Sequence, residues 1–359
     1  MSGERDLASA LVAEIEKTAA GIGRPVRIME VCGTHTVELR RQGIHSLLPR
    51  GIALVSGPGC PVCVTPAGYV DNALALAESG RAVIASFGDM LKVPGSSGRT
   101  LASLSAAGRA RLVYSPTELV GMARAAGAPV VFLAVGFETT IPTIMTALLE
   151  AQNREIDNLY LYTAFKTVPA ALRFLLANPE HGIDGFLLPG HVSVVIGADA
   201  YEFLEGPGGR PGAITGFEAL DMLLGILLVL RQVLKGTHRV ENAYPRVVRP
   251  GGNPLARAMM ETTLEPTDET WRGLGVIPGA ALGLRPALAG RDAAKVFSLP
   301  AAADVEAPGC ICARVVAGMA TPPQCPLFGT RCTPDDPVGP CMVSSEGTCA
   351  AYFRYGDGA

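Results

Sequence analysis

Val26-Arg-Ile-Met-Glu-Val-Cys-Gly-Thr-His-Thr36 is a short apolar run that stops on a cysteine and a glycine and then turns into a helical pattern. The unit recurs. Ile52 to Val55 runs into Gly57-Pro-Gly-Cys-Pro-Val-Cys63, and Ala82 to Ser86 runs into Phe87-Gly-Asp-Met90. Helical patterns fall between these runs, at Thr36 to Gln42, Pro66 to Glu78 and roughly Leu101 to Gly108, with a further strand at Arg111 to Tyr114. Strands alternating with helices predict βαβ units and a parallel sheet. Thr65-Pro66 supplies a cap and then a proline at the first helical position. Ser115-Pro-Thr-Glu118 reads as a capping box that starts the next helix.

The rhythm continues with strands at Val130 to Val135, Leu159 to Thr163, Gly185 to Leu188 and Ala213 to Thr215. The segment Phe217 to Leu234 is apolar nearly all round, which predicts a buried helix. Here too the unusual motifs follow strands: Gly136-Phe-Glu-Thr-Thr140, Phe165-Lys-Thr167, Pro189-Gly-His191 and Thr215-Gly-Phe-Glu218. Open parallel sheets bind ligands outside the carboxyl ends of their strands. The expected fold class is therefore α/β, with two parallel-sheet βαβ domains facing a central cleft. After Gly236 prolines and glycines multiply and strand patterns vanish, so a mostly helical or irregular region follows. The expected division is 1–115 with the reactive thiols, 116–235, and 236–359.

The chain has 359 residues, of which 48% are hydrophobic and 18% charged, with a formal charge of −3. That describes well-packed globular domains and offers no basic footprint for nucleic acid. The longest apolar run, Met222 to Leu230, is half of what a membrane span needs. The amino end is charged and amphipathic and lacks the apolar core of a signal peptide. A cytoplasmic protein without membrane attachment is expected, in a compartment where thiols stay reduced.

The nine cysteines fall in two clumps. Cys32, Cys60 and Cys63 lie near the start; Cys310, Cys312, Cys325, Cys332, Cys341 and Cys349 lie in the last 50 residues, with none between Val64 and Gly309. Scattered core thiols would not segregate in this way, and an odd count argues against a simple disulfide framework. Cys60-Pro-Val-Cys63 is a CxxC at a strand-to-helix junction, where a helix amino terminus lowers a thiol pKa and two sulfurs can close a small ring. Half of a zinc site is the structural alternative, although no second CxxC is present. Cys32 follows a strand, with His35 three residues on. A protonated His35 and the helix dipole would activate it; the bland alternative is a small buried hydrophobe. Cys310, Cys325, Cys332 and Cys349 are spaced C-x14-C-x6-C-x16-C, and Pro326 follows Cys325. Four thiolates in a turn-rich segment suit either a tetrahedral zinc or an iron–sulfur cluster. Cys312 and Cys341 are then left over, as spare thiols or a local disulfide.

Taken in order, Met29-Glu-Val-Cys-Gly-Thr-His-Thr36, Gly57-Pro-Gly-Cys-Pro-Val-Cys-Val-Thr-Pro66, Phe87-Gly-Asp-Met-Leu-Lys-Val-Pro-Gly95, Gly136-Phe-Glu-Thr-Thr140, Pro189-Gly-His-Val-Ser193 and the four-cysteine spacing carry a specific likeness. Over essentially its full length the chain resembles the HypD family of hydrogenase maturation proteins. The resemblance implies a scaffold on which the Fe(CN)2CO part of the [NiFe]-hydrogenase active site is assembled, in complex with the chaperone HypC and receiving cyanide from HypE. It also implies that Cys32 is an iron-ligand thiol shared with HypC, that Cys60 and Cys63 are a redox pair, that His35 is an essential neighbour, and that Cys310, Cys325, Cys332 and Cys349 hold a [4Fe–4S] cluster. Soft thiolates suit a low-spin iron that takes cyanide and carbon monoxide.

Other loop residues divide between chemistry and plain structure. Glu138, with Thr139 and Thr140, either caps the helix that follows or makes the cleft polar. Asp89 and Lys92 either pair in an exposed loop or serve the thiol site. His191 is either a satisfied loop histidine or a proton donor in the cleft, and Lys166 and Glu218 are weaker candidates. Two competing functions remain open: a free-standing iron–sulfur disulfide reductase acting on a soluble thiol partner, and a zinc-stabilised interaction protein.

Overall fold

β1 (Val26–Glu30) and β2 (Ile52–Ser56) lie parallel, with Val26 opposite Ile52 and Glu30 opposite Ser56, in a computed structural model that describes residues 2–356. The next strands leave this pair. β3 (Val83–Ser86) and β4 (Ala110–Leu112) join β5 (Val130–Gly136) and β6 (Leu159–Lys166) in a second sheet. β7 (Gly185–Pro189) then returns to the open edge of β1, and β8 (Gly212–Thr215) and β9 (Val240–Asn242) extend the first sheet. Finally β10 (Leu264–Trp271) and β11 (Gly275–Leu284) form an antiparallel hairpin that docks on β6 through Ala281 and Leu282. The strand orders are β2-β1-β7-β8-β9 and β10-β11-β6-β5-β3-β4. This is the expected α/β architecture with two largely parallel sheets and an irregular carboxyl-terminal region. Each sheet, however, draws strands from both 1–115 and 116–235. A parallel strand needs a crossover helix but not a sequence neighbour, and β5, buried along its whole length, offers its two edges to β3 and β6.

The hairpin corrects the expectation that strands end at Gly236. Three glycines and Pro278 hide β11, and β10 is charged and carries Pro266. Proline is tolerated on an edge strand, which is where β10 lies. The segment Leu101–Leu104 is a single 3-10 turn rather than a helix to Gly108. At the capping box, Glu118 Oε1 accepts from the Ser115 and Tyr114 N–H groups (2.8 and 3.1 Å).

The apolar segment expected at Phe217 to Leu234 is the helix Ala219–Lys235, which buries Met222, Leu223, Ile226 and Leu230 under the first sheet. The charged amino end is the helix Ser2–Ile22, packed on it through Ile15. Under the second sheet Phe132, Leu148 and Leu161 are fully buried. Truncating such a leucine to alanine costs about 2–5 kcal/mol. Among the described residues no helix is long and apolar enough to cross a membrane.

Candidate functional site

Residues just beyond the carboxyl ends of five strands line one cavity of about 260 Å³. The first sheet contributes Cys32 and Thr34 after β1, Gly59 and Pro61 after β2, and His191 after β7. The second contributes Phe137 and Thr139 after β5 and Val168 after β6, while Glu346 closes the cavity from the carboxyl-terminal segment.

Cys32 caps the helix Gly33–Arg41 in extended conformation, and its thiol faces the backbone N–H groups of Thr34 and His35. Burial nevertheless pushes its pKa up to about 12, because the apolar surroundings outweigh those amides and the Glu346 carboxylate adds to the rise. Activation by a protonated His35 is overturned. His35 is fully buried, its Nε2–H donates to the Gly216 carbonyl (3.0 Å), and burial lowers its pKa to about 4. It is a neutral imidazole, and among the described residues its Nδ1 is buried without a partner. Cys32 therefore rests as a thiol, and a metal bound there must displace its proton.

Phe217 joins the two histidines: its ring stacks on His191 at 3.9 Å and leans on His35 at 4.7 Å. His191 stands on the exposed side, with its pKa lowered by partial burial against a counter-pull from Glu346. Glu346 also accepts from Thr34 Oγ1 at 2.6 Å. Sequence reasoning missed this residue; its signal was a lone carboxylate among small residues in the cysteine-rich tail.

Cys60 and Cys63 are joined by a disulfide and both are buried. They sit in the turn ahead of the helix Ala67–Glu78 rather than on its first turn, so activation by that helix dipole does not apply. Pro66 takes the cap position, because the Thr65 hydroxyl donates to the Pro61 carbonyl instead (2.8 Å). The loop meets Cys32 through backbone. Gly33 N–H donates to the Gly59 carbonyl (3.0 Å), and a Cβ on Gly59 would collide with the Cys32 backbone nitrogen.

Arg272, buried in the β10–β11 turn, ties this loop to the distant cysteines. Its backbone N–H donates to the Val64 carbonyl (2.8 Å), its guanidinium donates to Thr65 O, and its charge acts on Cys312. Nothing in the local pattern marked it.

All six carboxyl-terminal cysteines share one knot. Cys341 Sγ lies 3.0 Å from Cys349 Sγ and hydrogen-bonds Cys312. Gly339 packs between Cys310 and Cys312; Cys325 acts on Cys310, and Cys332 on Cys349. Cys312 and Cys341, set aside as spare, thus sit at the centre. Burial, then the neighbouring Cys312, pushes Cys310 up to about 12. Among the described residues no three metal-ligating side chains surround a common point. The donor set is all sulfur and mostly buried, which fits an iron–sulfur cluster in chemistry.

Glu138 caps the helix Val168–Ala177 rather than the one after it: its Oε1 accepts from Val168 N–H (3.0 Å), and burial raises its pKa to about 7. Asp89 accepts from Ser345 N–H (3.2 Å), and no ion pair joins it to the exposed Lys92 among the described residues. Lys166 is buried against Glu269 (3.1 Å) and Glu218 is exposed, and neither lines the cavity.

Residues 6–356 match the HypD sequence family, described as the hydrogenase formation hypA family. The chain belongs to this family. It is 42% identical to the hydrogenase maturation factor HypD of Rhizobium leguminosarum bv. viciae, over 96% of this chain and 93% of that one. Identity to the HypD of Azotobacter vinelandii is also 42%, over 98% and 94%, and to that of Escherichia coli K12 42%, over 92% and 90%. The role of this HypD-family protein is hydrogenase maturation.

Proposed function

We propose that this HypD-family protein is the scaffold on which the Fe(CN)2CO moiety of [NiFe]-hydrogenase is assembled, bound to the chaperone HypC and receiving cyanide from HypE. The observation that carries the reading is the position of Cys32, the thiol on the wall of a cavity built by the carboxyl ends of both sheets. There the iron, as cargo, would take the sulfur of Cys32 after its proton leaves. His191 and Glu346, on the same wall, would receive or return protons as ligands arrive. The neutral His35, held by Gly216 and Phe217, positions the loop rather than supplying charge.

Reduced Cys60 and Cys63 would release two electrons and two protons on closing their disulfide, one pair for each ligand-attachment step that needs reduction. Cys310, Cys325, Cys332 and Cys349 would hold a [4Fe–4S] cluster, which supplies one-electron transfer when bound. Arg272, touching the CxxC loop and acting on Cys312, holds the two thiol regions in register.

Infrared spectra of the anaerobically co-purified HypC complex test the assignment. Cyanide and carbonyl stretching bands are expected in the native complex. In Cys32→Ala they should vanish while the iron and sulfide content of the carboxyl-terminal region stays unchanged. Bands persisting in Cys32→Ala would overturn the ligand role, and zinc without sulfide in the native protein would overturn the cluster.

A further inference from the structure

A second cavity, of about 550 Å³, opens at the amino-terminal edge of the first sheet, the edge away from Cys32. Its polar lining comes from residues just before, or at the start of, successive strands: Arg24 and Arg27 at β1, Asp184 before β7, Arg210 before β8 and His238 before β9. Three guanidiniums thus meet one carboxylate, and that carboxylate is already used. Asp184 Oδ1 accepts from Arg24 Nη1 (2.8 Å), and its Oδ2 accepts from the Arg27 backbone N–H (2.8 Å). The guanidiniums keep donors in hand. Arg27 spends Nη2 on the Gly318 carbonyl (2.9 Å), and its Nε is buried with no acceptor among the described residues. Arg210 spends Nε on Ile183 O (3.0 Å) and Nη1 on Gly209 O (2.8 Å).

We propose that this cavity binds a small, multiply charged oxyanion. Guanidinium forks match the paired oxygens of phosphoryl and carboxylate groups, and a recess lined by excess positive charge concentrates anions. Arg210 Nη2, which neither of its bonds uses, is the donor left for a ligand oxygen. The recess has the size of a small-ligand pocket, which favours a compact ligand over a protein surface. Lying at the opposite sheet edge, it cannot serve the chemistry at Cys32. Its wall does reach the cysteine knot, because Arg27 holds Gly318, which follows the helix Cys312–Val316.

Calorimetric titration of the full-length protein with inorganic pyrophosphate, and separately with citrate, at roughly physiological ionic strength tests this. Saturable binding of either supports the site, and the preference between them tells phosphoryl from carboxylate ligands. Arg210→Gln and Arg24→Gln should each weaken binding about tenfold. Asp184→Asn, which removes the competing carboxylate, should tighten it. Arg124→Gln, an exposed arginine on the helix Glu118–Ala125, should change nothing. Arg27 is left in place because its bond to Gly318 holds the fold. No saturable heat with either anion would overturn the proposal, as would an equal loss in Arg124→Gln.

Discussion

Two buried residues beside Cys32 pull stability in opposite directions as pH changes. Glu30 is buried in β1, hydrogen-bonded to Ser56 (2.7 Å) and Thr36 (2.9 Å), and burial raises its pKa to about 8. Its folded form holds a proton that the unfolded chain would release. Its contribution is therefore full below the ordinary carboxyl range and is lost as pH rises toward 8. His35 has the opposite sign: with a folded pKa of about 4, its contribution is full above 6.5 and is lost as pH falls toward 4. Between these ranges the slopes oppose each other. Glu30→Gln should therefore spare the protein about 2 kcal/mol of the stability lost between pH 6.5 and 8. Urea midpoints at a series of pH values check this, and parallel curves for native and variant would refute it. The pairing of Cys32 with His35 was legible in the sequence, because both belong to one strand–helix turn. The neutrality of His35 was not, since its partner Gly216 lies 181 residues away.

At the scale of elements, the helix Thr348–Tyr355 acts as a clamp on the thiol site. It packs on the helix Gly33–Arg41, with the Arg40 guanidinium 3.1 Å from the centroid of the Tyr352 ring. The turn before it brings Glu346 to Thr34 and leaves no room for a side chain on Gly33. A cation–π contact of this kind contributes about 0.5–2 kcal/mol. Tyr352→Ala should lower stability by about 1–3 kcal/mol through lost contact and burial. It should also speed alkylation of Cys32 and Cys349 over the rates in the native protein, read by mass spectrometry. Unchanged labelling would show that the helix does not guard the site. The sequence marked the cysteines of this region but not the clamp, because a helix of eight residues amid glycines has too short a period to register. The β10–β11 hairpin escaped for a related reason. Its stability comes from pairing with β6 and from burial of Trp271 at the end of β10, neither of which leaves an alternating pattern on glycine-rich β11.

At the scale of the molecule, the chain crosses from one sheet to the other three times, at β2 to β3, β6 to β7 and β9 to β10. The βα rhythm announced parallel sheets, but rhythm is local and says nothing about which strand completes which edge. That choice is set by long-range burial. β1 needs β7 on its second edge, and β3 needs β5. The cavity around Cys32 inherits the same dependence, since its wall comes from five strands of both sheets. A fragment 1–115 would hold β1 and β2 without β7, and β3 and β4 without β5, leaving apolar residues such as Ile28 and Ile84 and unpaired strand edges open to water. Expressed alone, it should show no near-ultraviolet circular dichroism and no sharp thermal transition, and 116–359 should fare no better. The intact chain should instead lose both sheets in one transition that coincides by fluorescence and circular dichroism. A folded, cooperative 1–115 fragment would mean that the first sheet closes without β7, and the shared cleft would then be a docking of independent units rather than a product of interleaved strands.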